Sequence, residues 1–169
     1  MTKVSVRRAS NDDIDALARL TVEVQELHFT NRPDQFKAAN TGAIGRWFDQ
    51  VLRSPSGAAW VAERDGEVVG NALVLFRESA ESPFAPARKW WSLEHVAVTA
   101  AQRRTGVGRS LVEHIAAEAR AAGIRELRLE SWAFNGDAQA AFERLGFTPK
   151  VLRYELQLSE PTTLEPPAI

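Results

Sequence analysis

The sequence predicts an α/β fold, a mixed sheet with helices on both faces, and three observations carry that prediction. First, two strand-like runs, 59–64 and 67–76, are joined by Asp65-Gly66. An Asp-Gly pair between apolar runs is a strong hairpin signal, because a type I′ turn needs positive φ at both central residues. Second, 90–99, 109–122 and 124–132 read strand, helix, strand, which is a βαβ unit and makes part of the sheet parallel. Third, the helical segments have apolar residues at 3.6-residue spacing on one face, so they pack against a sheet.

Each element has its own signal. Val4-Ser5-Val6-Arg7 alternates and predicts a short first strand. Ser10-Asn11-Asp12-Asp13 offers a helix N-cap with acids in the first turn. Ile14, Leu17, Ala18, Leu20, Val24 and Leu27 then form a stripe to about His28, and Asn31-Arg32-Pro33-Asp34 breaks the helix. Residues 43–52 predict a shorter helix with Ile44, Trp47, Phe48 and Val51 on one face. The hairpin follows, then a polar loop over 78–88. The helix 109–122 buries Leu111, Val112, Ile115, Ala116 and Ala119, with Gly123 as its cap. A last helix over 137–145 stops at Gly146, and 148–158 predicts one or two closing strands. Residues 1–158 read as a single domain, and 159–169, with Pro161, Pro166 and Pro167, as a loosely held tail.

Composition excludes several classes. The chain has 169 residues, 44% hydrophobic and 25% charged, which suits one globular core. A net charge of -1 gives no reason to expect nucleic acid or a membrane surface as a partner. There is no cysteine, so thiol nucleophiles and thiolate metal sites are excluded. His28, His95 and His114 are too scattered to suggest a metal site. No apolar leader opens the sequence and no run is long enough to span a bilayer, so the expectation is a cytoplasmic protein.

The segment with the clearest chemistry runs from Val98 to Arg109. It leaves a strand and enters a helix through Arg103-Arg104-Thr105-Gly106-Val107-Gly108. The first N–H groups of a helix lack internal partners and the helix dipole is positive there, so the position suits an anion. Gly106 and Gly108 let the backbone approach a phosphate, and Arg103, Arg104 and Arg109 add positive charge. A dinucleotide fingerprint would need a third glycine where Leu111 stands, and a P-loop would need Gly-Lys-Ser/Thr, which is missing. A pyrophosphate loop and a plain strand-to-helix turn share the spacing that remains.

These residues resemble the GNAT superfamily of acetyl-CoA-dependent N-acetyltransferases. The family loop Gln/Arg-x-x-Gly-x-Gly/Ala is matched by Arg103 to Gly108, after a strand that ends in Val98. A second family segment is matched from Asn135 through Phe142 to Leu145-Gly146-Phe147. The resemblance spans about Val4 to Leu158. It implies a mostly antiparallel, twisted sheet splayed between its fourth and fifth strands, with acetyl-CoA lying in the opening. It implies pyrophosphate binding by Arg103, Arg104, Thr105, Gly106, Val107, Gly108 and Arg109. It also implies pantetheine pairing along Val96, Ala97 and Val98, and contacts from Asn135 and Phe142. Asn135 suits a helix N-cap equally well.

For catalysis the resemblance points to a fourth-strand carboxylate as base, and Glu94 occupies such a position. It lies four residues before Val98, on the same side of a regular strand; an ordinary solvent-facing glutamate is the alternative. His95 would point to the opposite face unless a β-bulge intervenes. The family's usual acid, a tyrosine seven residues after the asparagine, is replaced by Phe142. Tyr154, the chain's single tyrosine, is the substitute candidate, although a packing or surface role also fits it. The acceptor side is expected from His28, Phe29, Arg32 and Phe36, with Trp132 across the opening, and Glu26, Asp34 and Glu94 would complement a cationic amine. The implied reaction is N-acetylation of a primary amine on a small molecule or peptide by direct attack. A non-catalytic acyl-CoA-binding or regulatory module is the alternative, and a homodimer is compatible with either.

Overall fold

The computed structural model describes residues 3–158. The order is β1 (Ser5–Arg8), α1 (Ile14–Asn31), α2 (Thr41–Arg53), β2 (Gly57–Arg64), β3 (Glu67–Ser79), β4 (Arg88–Val98), α3 (Val107–Ala121), β5 (Leu127–Leu129) and α4 (Gly136–Arg144). The five strands form one sheet in sequence order, antiparallel except for the parallel pair β4–β5. The proposed tail, 159–169, lies outside the described residues.

Local chemistry explains the boundaries. The Asp13 carboxylate accepts from the Ser10 N–H at 2.7 Å and from both Arg7 Nη atoms at 2.8 and 2.9 Å, tying β1 to the start of α1. Asn40 caps α2 by accepting from the Ala43 N–H. Asp65 and Gly66 take φ of 55° and 80°, as a type I′ hairpin turn requires.

Alternation along the strands divides the core. Trp60, Ala72, Val74, Trp91 and Leu93 face α3 and pack on Val107, Leu111 and Ile115. Ala59, Val61 and Leu73 face α1 and α2 and pack on Leu17, Phe48 and Val51. The helices therefore lie on both faces, as expected.

Two irregularities shape the opening. In β4, His95 pairs with Leu73 while Leu93 pairs with Val74, so Glu94 is the extra residue of a β-bulge. Beyond that point β4 continues to Val98, but β5 pairs only with Trp91–Leu93. The two strands part at the bulge, leaving one edge of Glu94–Val98 open.

Two expectations are corrected. The fifth strand spans only Leu127–Leu129, not 124–132. The closing strands expected over 148–158 are absent: among the described residues this segment makes no ladder, and Tyr154 is 86% exposed. The segment alternates as a strand should, but a ladder also needs a neighbour within reach.

Candidate functional site

The open edge of β4 is backbone. Thr99 donates its N–H to Val69 O, which sets the antiparallel alternation. Ala97 turns its backbone groups toward Asn71, and Val96 and Val98 turn theirs outward into the opening. The Val98 carbonyl accepts from Arg103 Nε at 3.2 Å. The side chains of Val96 and Val98 pack against the α3 core. Of the three residues expected along the cofactor arm, two present backbone and Ala97 does not.

The loop that follows is held from behind. Arg64, at the end of β2, donates to Gln102 Oε1, to Thr105 Oγ1 at 3.0 Å and to the Thr105 carbonyl at 3.4 Å. Thr105 Oγ1 in turn donates to Gln102 O at 2.7 Å. These bonds engage carbonyls and side chains of the loop and none of its N–H groups. From Arg104 to Arg109, no backbone N–H finds an acceptor among the described residues, while Ser110 already donates to Gly106 O. Arg104 (φ 62°) and Gly106 (φ 92°) provide the left-handed turns that aim this run. α3 starts at Val107, two residues earlier than expected, so Val107, Gly108 and Arg109 form its first turn. A Cβ on Gly108 would have Val98 Cγ2 as its nearest neighbour at 3.8 Å, so the strand end and helix start sit side by side. Arg103 is ion-paired with Glu23 of α1 at 2.7 Å, and Arg109 with Glu113 at 3.4 Å. This run of free N–H groups suits a polyanion such as a pyrophosphate. Arg64 was not expected; only its position at a hairpin strand end hinted at a role.

The bulge sets where Glu94 and His95 lie. Because Glu94 is the extra residue, the regular alternation that would put it on Val98's side fails. His95 shares a face with Leu73 and lies edge-on to Trp47 of α2, ring centroids 5.7 Å apart. Glu94 is 34% exposed at its side chain and pairs with Arg77 at 3.6 Å. His95 forms part of a cleft of about 330 Å³ lined also by Thr21, Gln25, Asn40, Ile44 and Trp47. Burial, and then the neighbouring His28, hold the His95 pKa below the ordinary histidine value, with Glu94 opposing. His28 is lowered by burial as well. Both imidazoles are therefore neutral at pH 7.

Most of the expected acceptor residues gather. His28 stacks on Phe36 (4.8 Å), Phe36 meets Trp132 edge-on (5.1 Å), Trp132 stacks with Phe134 (6.0 Å), and Phe134 returns to His28 (5.9 Å). Arg32 lies 5.5 Å over Trp132. This ring of aromatics bridges the α1–α2 connection and the β5–α4 loop, and Phe134 was not anticipated. Phe29 is half-buried and makes no ring contact in the group. The expected acids do not converge. Glu26 accepts from the Ala39 N–H, Asp34 is forked by Arg32, and Glu94 is engaged by Arg77.

Asn135 caps α4, accepting from the Ala138 N–H at 3.2 Å, and among the described residues its Nδ2 has no hydrogen-bond partner. Phe142 packs edge-on to Phe147 at 6.0 Å and offers no proton. Tyr154 stands exposed, with no hydrogen bond or ring contact joining it to Glu94 or His95. Among the described residues, no cluster suits a metal ion and no helix is long and apolar enough to cross a membrane.

Comparison with known proteins follows the same lines. The uncharacterized N-acetyltransferase YjgM of Escherichia coli (strain K12) is 28% identical over 142 residues, covering 84% of this chain and 80% of that protein. The solved structure of the BH1408 tetramutant from Bacillus halodurans superposes with a TM-score of 0.86 at 22% identity, over 91% of this chain and 99% of that one. The aminoglycoside N-acetyltransferase AAC(6')-Iy in complex with CoA gives 0.73 at 19% identity, over 94% and 97%. These two likenesses establish the fold. The model of the acetyltransferase (GNAT) family matches residues 21–147, most of the chain, and so the protein belongs to the GNAT acetyltransferase family.

Proposed function

We propose that the protein is an acetyl-CoA-dependent N-acetyltransferase acting on a primary amine of a small molecule or peptide. The observation that carries this reading is the run of unsatisfied N–H groups from Arg104 to Arg109 beside the outward backbone of Val96 and Val98. The first suits the pyrophosphate of the acyl donor, and the second suits its amide-bearing arm as an added strand. The thioester then lies near the bulge, with the His95 cleft on the acceptor side.

The chain's residues divide the work as follows. The Val98 N–H donates to the oxygen that gains charge as the amine nitrogen bonds to the thioester carbon. His95, neutral at pH 7, takes the proton that the amine loses, and Glu94 beside it favours the imidazolium that results. The carbon–sulfur bond breaks and the thiolate takes a proton from water; a thiol pKa of about 8.5 makes a dedicated acid unnecessary. That suits a chain with Phe142 in the acid position. With no cysteine to carry the acyl group, attack is direct in a ternary complex. The aromatic ring of His28, Phe36, Trp132 and Phe134 offers flat apolar faces to an acceptor.

Phe142 and the exposed Tyr154 favour one second reading, a module that binds acyl-CoA without turnover. Acetyl-CoA titration and coenzyme A release across an amine panel separate the two. Turnover with at least one amine supports the transferase, and binding without any turnover supports the module. Gly106→Val tests the loop, since valine at φ 92° is strained. It should weaken acetyl-CoA binding about tenfold or more, and unchanged affinity would sink the loop assignment.

A further inference from the structure

The cleft of about 330 Å³ beside His95 carries a charge that the proposed reaction leaves unused. Lys37 is the single charged residue among those lining it, since His95 is neutral at pH 7. Among the described residues no carboxylate lines the cleft. Gln25 of α1 fixes the chain at this point by donating Nε2 to the Lys37 carbonyl at 2.6 Å. Among the described residues the Lys37 ammonium has no ion-pair partner.

Two further donors gather at the same end. Asn40 caps α2 through its Oδ1, and among the described residues its Nδ2 has no hydrogen-bond partner. Arg46, on the second turn of α2, folds back toward it: a Cβ on Gly42 would lie 3.6 Å from both Arg46 Nη1 and Asn40 Oδ1. Glu26 is close to this stretch of chain, but its carboxylate accepts from the Ala39 N–H at 2.8 Å and does not line the cleft. Asn40, Ala43, Ile44 and Trp47 then follow one face of α2, and the Trp47 ring meets His95 at 5.7 Å. Seven residues of helix span roughly 10 Å. The cleft thus has a cationic, donor-rich end, an apolar wall and the His95 end.

An amine attacks as its free base. A fixed cation with no acid beside it disfavours the ammonium form, which helps release the proton but gives a simple amine nothing to hold it. A carboxylate on the same molecule supplies the missing attraction, through charge-assisted hydrogen bonds to groups that lack partners of their own. A polycation would meet Lys37 and Arg46 with nothing to offset them. The volume, near the lower end of small-ligand pockets, suits one small molecule.

We propose that the acceptor is an amine that carries a carboxylate, with its anion on Lys37, Asn40 and Arg46 and its nitrogen at His95. The place of the nitrogen rests on the transferase reading; the place of the anion rests on the cleft.

The test measures coenzyme A release from acetyl-CoA with butylamine, 5-aminopentanoate, 1,4-diaminobutane and 4-aminobutylphosphonate, which differ only at the end away from the amine. Leucine against 3-methylbutylamine repeats the comparison with the carboxylate close to the nitrogen. In at least one set the carboxylate should exceed the bare amine in kcat/KM by about tenfold or more, with the diamine poorest. Lys37→Met should cut that preference about tenfold, chiefly through KM, and Lys37→Arg should retain most of it. A bare amine or diamine that matches the carboxylate in both sets overturns the inference and leaves the transferase reading standing. A phosphonate that exceeds both carboxylates also overturns it, assigning the anion as a phosphate. If no amine turns over, the transferase reading falls and calorimetry decides the anion site. With coenzyme A present, 5-aminopentanoate or leucine should then bind, and bind about tenfold more weakly to Lys37→Met; no binding, or equal binding, overturns the inference.

Discussion

In the proposed reaction Glu94 and His95 are the two candidates for the proton that an attacking amine must lose, and one extra residue in β4 separates them. In a regular strand their side chains would lie on opposite faces. The bulge breaks that alternation and puts His95 beside Trp47 in the cleft proposed for the acceptor. A lone sequence cannot show a bulge made by pairing with another strand, so the carboxylate was legible and the histidine's orientation was not. The same limit explains Arg64, whose grip on the loop depends on the hairpin bringing β2 beside it. The pKa of His95 lies below 6.5, chiefly from burial. Its neutral form takes the proton, so kcat/KM should hold across neutral pH and fall only as pH drops through that lowered value. His95→Gln should abolish this acid limb and lower kcat by about a hundredfold with little change in KM. A limb that survives His95→Gln and disappears in Glu94→Gln would move the role to the carboxylate.

At the scale of elements, the loop proposed to hold the pyrophosphate depends on α3 being pressed hard against the sheet. Gly70 of β3 makes this possible. A Cβ there would lie 2.8 Å from Val107 Cγ1 and 3.1 Å from the Ala97 carbonyl, so any side chain pushes away the first turn of the helix. That turn supplies the N–H groups of the cradle. Gly70→Ala should cost about 1–3 kcal/mol by overpacking, read by urea denaturation, and should also raise the Kd for acetyl-CoA. A variant with wild-type stability and affinity would show that α3 has room to spare. The loop itself was readable from sequence, because its glycines and arginines act through local backbone geometry. So was the hairpin at Asp65-Gly66. The helix start at Val107 was placed two residues late, since Arg109 marked the charge but Gly106 marks the cap. The closing strands failed as a prediction for a different reason: alternation in 148–158 reports a strand's needs, and pairing depends on a neighbour.

For the whole molecule, that unmet need becomes an argument about folding. The first four strands carry a complete core on both faces, with Trp60, Leu73 and Leu111 fully enclosed. The end with β5 and α4 encloses nothing fully. If the chain is a homodimer, part of each chain's stability comes from association and follows mass action. A folded dimer in equilibrium with unfolded monomers gains about 0.7 kcal/mol per chain for each tenfold rise in concentration, which for a chain of this length raises Tm by roughly 2 °C. Scans at two concentrations a hundredfold apart should separate accordingly. A wild-type Tm indifferent to concentration would mean that each chain stands alone, with its apolar strand in water. Glu155 pairs with Arg32, which lies over Trp132, so under the proposed function Glu155→Gln should raise KM for the amine more than for acetyl-CoA, whose proposed cradle lies against the first four strands; equal changes in both would detach Arg32 from the acceptor side.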